Sequence, residues 1–181
     1  STRKESSAAS DVYKRQGIYS QLAPKMIPSG NSLSEPLSMS DSIERLKSFI
    51  EKNPGDFQAL KMLGLAQIGI GNINESIEAF ERAYLINSKD IDLLLQFASA
   101  IAASQDGQFD GKSKVLIDEA LSLDPQSIQV LYFSGIVAAH GGNFIGAIEF
   151  WEKALYLMSN DHPDRNIIEE ALGTVLNLQV K

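Results

Sequence analysis

The side chains that could do chemistry are few and poorly grouped. Glu51/Asp56, Asp118/Glu119 and Glu169/Glu170 are the carboxylate pairings close enough in sequence to suggest general acid–base work. Such work needs both carboxyls on one side of a substrate. Adjacent residues on a helix point in different directions, so none of these pairs is a natural dyad, and a solvated helix face is the simpler account. His140 and His162 stand too far apart for a local metal motif, and no carboxylate at ligand spacing completes a set. The absence of cysteine excludes disulfides, thiol catalysis and thiolate metal sites. Gly69-Ile70-Gly71 and Gly141-Gly142 follow no strand and lack a phosphate-cradling lysine, so they read as turn glycines. Trp151 reads as a core residue rather than a ligand platform. The expectation is therefore a protein with no catalytic site, no metal site and no cofactor.

Composition narrows the class further. Apolar residues make up 44% of the 181 and charged ones 22%, as in a soluble globular domain. Sixteen basic against 23 acidic residues give a net charge of −7, a surface that repels a phosphate backbone and argues against nucleic acid. No run approaches the roughly 18–20 apolar residues that cross a bilayer. Ser1 in place of an initiator methionine points to a fragment or a processed form. Residues 1–40 are serine-rich, hold Pro24, Pro28 and Pro36, and show no helical period, which predicts a disordered leader or linker. Within it, residues 1–16 contain DVYKRQ, which resembles translated adapter sequence and is set aside as an artefact. The rival reading is a basic arm built on Arg3, Lys4, Lys14 and Arg15.

From Asp41 onward the pattern is amphipathic helix broken by short punctuation. Asp41 or Ser42 is expected to cap a first helix with Ile43, Leu46, Phe49 and Ile50 on its apolar face, and Asn53-Pro54-Gly55 ends it. Helix pairs follow in three repeats, 57–90, 91–127 and 128–161, and a terminal helix over 163–179 starts near Pro163. Phe57–Asp90 lies over Ile128–Asp161 without a gap, 34 residues each, while the middle unit carries three extra residues. Gly64, Ala98 and Gly135 recur where two helices of a hairpin must approach. Phe80, Ile117 and Trp151 recur where neighbouring hairpins are expected to meet. A helix–turn–helix period of this length is the tetratricopeptide signature. The predicted fold class is all-α: a tetratricopeptide superhelix of three hairpins with one flanking helix at each end, occupying residues 41–181. Ser76 stands where an alanine is usual.

What such an array offers is a surface. The first helix of each pair is expected to line a concave face, with Gln58, Lys61, Met62, Leu65 and Ile68, then Asp92, Leu95, Gln96 and Ser99, then Gln129, Tyr132, Phe133, Ile136 and His140 at its open positions. From these the candidate peptide-binding set is Lys61, Met62, Leu65, Ile68, Leu95, Gln96, Ser99, Tyr132, Phe133, Ile136 and His140. A contiguous apolar stripe of this kind marks an interaction site. The ordinary alternative has Phe133 or Ile136 packing against the terminal helix. A clamp for acidic C-terminal peptides needs several cations and amides, and only Lys61 fits it, because Leu65, Gln96, Gln129 and Phe133 fill the other positions. An apolar face suits an amphipathic helix instead.

Beyond the generic repeat, three stretches are distinctive. They are Ile50-Glu51-Lys52-Asn53-Pro54-Gly55-Asp56, the expanded middle unit from Gln108 through Ile117–Pro125, and Tyr132-Phe133-Ser134-Gly135 followed by Asn143, Ala147-Ile148-Glu149-Phe150-Trp151 and Leu155. On these the chain resembles the periplasmic tetratricopeptide domain of the cytochrome c maturation system, the subunit associated with haem ligation, over residues 41–180. Ser134 departs from the leucine usual before that glycine. The resemblance implies a non-enzymatic role, with capture of the C-terminal amphipathic helix of apocytochrome c and its presentation to haem lyase subunits. It also implies a periplasmic location, with attachment to the membrane only through an upstream anchor that this chain does not contain. The competing expectation is a general tetratricopeptide scaffold of another bacterial envelope or cytoplasmic assembly.

Overall fold

The computed structural model describes residues 38–179, and the expectations for residues 1–37 lie outside them. Eight helices make up the described residues, with no strand among them. We label them α1 (Met39–Lys52), α2 (Phe57–Gly69), α3 (Ile73–Ile86), α4 (Ile91–Ser104), α5 (Gly111–Leu123), α6 (Ile128–His140), α7 (Phe144–Leu157) and α8 (Arg165–Gln179). The fold is an all-α tetratricopeptide array, with hairpins α2–α3, α4–α5 and α6–α7 at the three predicted repeats. By packing, the described residues divide into two units, 38–88 with Ala103–Gly107, and Lys89–Ala102 with 108–179.

In the first unit, α1 starts earlier than its apolar pattern alone indicates. Ser38, not Asp41 or Ser42, is the N-cap. Its Oγ accepts from the Asp41 N–H at 3.1 Å, while the Asp41 carboxylate accepts from the Ser38 N–H at 3.3 Å. This reciprocal pair satisfies two otherwise orphaned donors and extends the helix by a turn into the predicted linker. Ile43 and Ile50 are buried, whereas Phe49 of the same predicted stripe is largely exposed. Asp56 caps α2 through the Ala59 N–H, 2.8 Å away, so one of the candidate acids has a structural task. The α2–α3 turn uses Gly71 at φ +82°, a backbone setting open to glycine. Asn72 then donates to the buried Gln67 side chain at 3.0 Å.

Close approach within the hairpins depends on glycine facing aromatic. A Cβ added at Gly64 would fall within 3.0 Å of the Phe80 ring, and one at Gly135 within 3.0 Å of the Trp151 indole. Phe80 and Trp151 thus pack across their own hairpins, onto the glycine of the preceding helix, rather than filling only the space between hairpins as the repeat pattern suggests. The glycine supplies the missing volume that lets so large a ring lie between two helices.

In the second unit, α4 is capped by Asp90, whose carboxylate accepts from the Leu93 N–H at 2.7 Å. It is buried nearly all round: Leu93, Leu94, Leu95, Phe97, Ala98, Ser99, Ala100, Ile101 and Ala102 are all closed to solvent. Helix α5 packs on α6, α6 on α7 and α7 on α8. Pro163 falls in the turn before α8 rather than in its first turn, and Arg165 opens the helix with its guanidinium donating to the Leu155 carbonyl at 3.1 Å.

Candidate functional site

Three of the six predicted acids, Asp56, Asp118 and Glu169, have structural occupations. Asp118 pairs with Lys114 one turn away, and Glu169 with Arg165 at 2.9 Å, both on helix surfaces. The first helices of the hairpins carry the predicted contact residues in both units.

In the first unit, Leu60, Leu63, Gly64 and Gln67 turn α2 inward, and the other side of the helix carries Lys61, Met62, Leu65 and Ile68. Lys61, Leu65 and Ile68 are half-buried, and Met62 is 40% exposed. The Lys61 ammonium lies 5.7 Å from the centroid of the Phe57 ring, within cation–π range.

In the second unit, two expected surface positions are interior. Leu95 is 5% exposed and Ser99 7%, and the Ser99 hydroxyl donates to the Leu95 carbonyl at 2.7 Å. The reason is that α4 is apolar everywhere but the edge carrying Asp92 and Gln96, so its first-helix position does not leave those residues open. Gln96 is half-buried. On α6, Ile136 is also closed, at 9%, while Tyr132, Phe133 and His140 are half-buried.

The aromatic residues of α6 form part of a series completed by a residue outside the predicted set. Phe109, from the expanded α4–α5 joint, lies with its ring centroid 5.9 Å from Phe133 and 6.0 Å from His140. Phe133 meets Tyr132 nearly edge-on at 5.7 Å. The Phe109 N–H donates to His140 Nδ1 at 3.4 Å, which places the imidazole proton on Nε2. Burial lowers the His140 pKa below 6.5, since the imidazolium loses its hydration there. Phe133 therefore packs against an inserted loop residue. The three extra residues in the middle repeat were the available signal, and a lone phenylalanine in the polar string Gln105–Gly111 was the detail to weigh with it.

Comparison with known proteins gives a consistent picture. The chain matches the family model described as the cytochrome c-type biogenesis protein H TPR domain over residues 15–165. That match begins inside the segment read as a linker and ends where α8 begins. It is 30% identical over 134 residues to cytochrome c-type biogenesis protein CycH of Pseudomonas aeruginosa, covering 74% of this chain and 33% of that one. With cytochrome c-type biogenesis protein CcmH of Escherichia coli (strain K12), identity is 27% over 131 residues, covering 72% of this chain and 37% of the relative. The chain thus spans about a third of the length of these curated relatives. Among solved structures, MamA superposes with a TM-score of 0.67 at 19% identity, covering 78% of each chain, a likeness of fold.

Proposed function

Since the chain belongs to the cytochrome c-type biogenesis protein H family of tetratricopeptide domains, we propose that it is a non-enzymatic module that captures the C-terminal amphipathic helix of apocytochrome c. The captured chain is presented to the subunits that ligate haem, in the periplasm, with any membrane attachment supplied by sequence upstream of this domain. The observation that carries this reading is the apolar, half-open character of first-helix faces in both units. In the second unit Tyr132 and Phe133 on α6 are the contact residues, with Gln96 as a polar contact; in the first unit Met62, Leu65 and Ile68 on α2 offer a face of the same kind beside Lys61. Leu95, Ser99 and Ile136, being closed to solvent, support the contact residues from within.

Helix capture follows from simple energetics. Anchors three and four residues apart on an amphipathic helix bury their apolar area against aliphatic and aromatic side chains. A few such residues, aromatic ones above all, dominate an interface. An ion pair at the solvent-accessible end of Lys61 adds about 1 kcal/mol at most. Holocytochrome is the weaker ligand, because its own fold already covers the same helix face.

The test is calorimetric titration of the chain with a synthetic C-terminal helix of a c-type cytochrome, repeated with Tyr132→Ala and Phe133→Ala. Binding weakened by about tenfold or more in each variant, or about 1.4 kcal/mol, supports capture through α6. No heat at high micromolar peptide, or variants that bind like the parent, moves the assignment to a general tetratricopeptide scaffold within the same biogenesis system.

A further inference from the structure

The α4–α5 joint is where the 34-residue period is broken, and it does something the three-residue turns of the other hairpins do not. Those turns, residues 70–72 and 141–143, simply reverse the chain. The longer joint instead sends Phe109 onto α6, where it is 3% exposed and sits between His140 and Phe133. The rings follow one another in the order His140, Phe109, Phe133, Tyr132, closed to solvent at Phe109 and half-open at Phe133 and Tyr132. The open end is fixed from a second direction as well, because the Trp151 indole N–H donates to the Tyr132 carbonyl at 3.1 Å.

A residue that closed cannot touch a docked helix; it acts through the rings it supports. We propose that Phe109, held by its backbone N–H on the His140 imidazole, is a positioning residue that presets the Phe133 and Tyr132 rings for an apolar helix. This rests on the reading of α6 as a peptide-contacting face. The physical ground is preorganisation: a ring that is free to turn must be immobilised on binding, and a ring already packed against a second ring need not be. Phe109 supplies the packing partner, and His140 Nδ1 ties down the backbone that carries it.

The experiment uses the full chain with Phe109→Ala, Phe109→Leu, His140→Ala and His140→Asn. Asparagine offers Oδ1 close to where histidine offers Nδ1, so it keeps the acceptor for the Phe109 N–H. Two measurements are made at a temperature where circular dichroism shows each variant folded. One is calorimetric affinity for the synthetic cytochrome helix. The other is ring order of Tyr132 and Phe133 by carbon relaxation without peptide. Positioning predicts that Phe109→Ala and His140→Ala bind about tenfold more weakly, with disordered rings, whereas His140→Asn, which keeps the acceptor but not the ring, recovers affinity and ring order relative to His140→Ala. Phe109→Leu should recover thermal stability more fully than affinity. Folded Phe109→Ala protein with parental affinity and parental ring order would overturn the proposal. If the parent itself fails to bind the peptide, the peptide-capture reading is what has failed, and ring order decides the positioning claim alone. Rings unmoved in Phe109→Ala and His140→Ala then overturn it, and rings loosened there but restored in His140→Asn uphold it.

Discussion

Serine hydroxyls show how much a single oxygen matters in these hairpins. Ser76 and Ser113 occupy the same repeat position, where the third repeat has Ala147, and both are fully buried. The Ser113 hydroxyl donates to the Asp110 carbonyl at 2.7 Å, but the Ser76 oxygen has no partner. A buried hydroxyl without a partner has lost water and gained nothing in exchange. Ser76→Ala should therefore raise unfolding stability by about 1 kcal/mol, while Ser113→Ala should lower it or leave it unchanged. Equal effects in denaturant unfolding would refute this account. His140 offers a second residue-level prediction. Its folded pKa lies below the 6.5 of the exposed imidazole because burial disfavours the charge. Above that pH the group is neutral folded or unfolded and stability is independent of it. As pH falls below 6.5 the unfolded chain takes up the proton first, so stability declines until the folded pKa is passed. Unfolding midpoints at about pH 7.5 and about pH 5.5 should drop more for the parent than for His140→Asn.

At the scale of the element, glycine in mid-helix has opposite meanings in α6 and α8. A Cβ at Gly135 would run into the Trp151 indole, whereas one at Gly173 meets nothing within 4 Å. Helix propensity alone favours alanine at both by about 0.5–1 kcal/mol. Gly173→Ala should gain that amount, and Gly135→Ala should instead cost about 1–3 kcal/mol through overpacking. Trp151→Ala, which empties the same site from the other side, should cost about 3–5 kcal/mol. Thermal unfolding of the three variants checks the order, and a stabilised Gly135→Ala would contradict the packing described. The glycine–aromatic spacing is visible in the sequence because it repeats with the hairpin. Helix ends are less so: the Ser38 cap precedes the apolar pattern, and Pro163 lies one turn short of where propensity puts it. The α6 face was legible only in part. Tyr132 and Phe133 follow from repeat position, but Phe109 reaches His140 across 31 residues through an irregular joint, and no local period encodes such a contact. Nor does position alone distinguish an open first helix such as α2 from α4, which is closed to solvent except along the edge of Asp92 and Gln96.

For the whole molecule, the family match and the fold cover about a third of the length of the curated relatives, and the chain is acidic, with a net charge of −7. If apolar anchors dominate, peptide affinity should change by less than about threefold as salt rises from about 0.05 to about 0.5 M. A clamp reading charged ends would lose far more, so a steep salt dependence would count against helix capture. The chain also has a single tryptophan, and that indole is 3% exposed, spans the α6–α7 hairpin and bonds to the carbonyl of Tyr132. Its emission must be that of an apolar, water-poor setting, and every change in it originates at one hairpin. The protein thus has a built-in optical probe beside the rings assigned to the ligand. A fluorescence titration needs no label, and a spectral response to a helix docked on α6 would report where it sits as well as whether it binds.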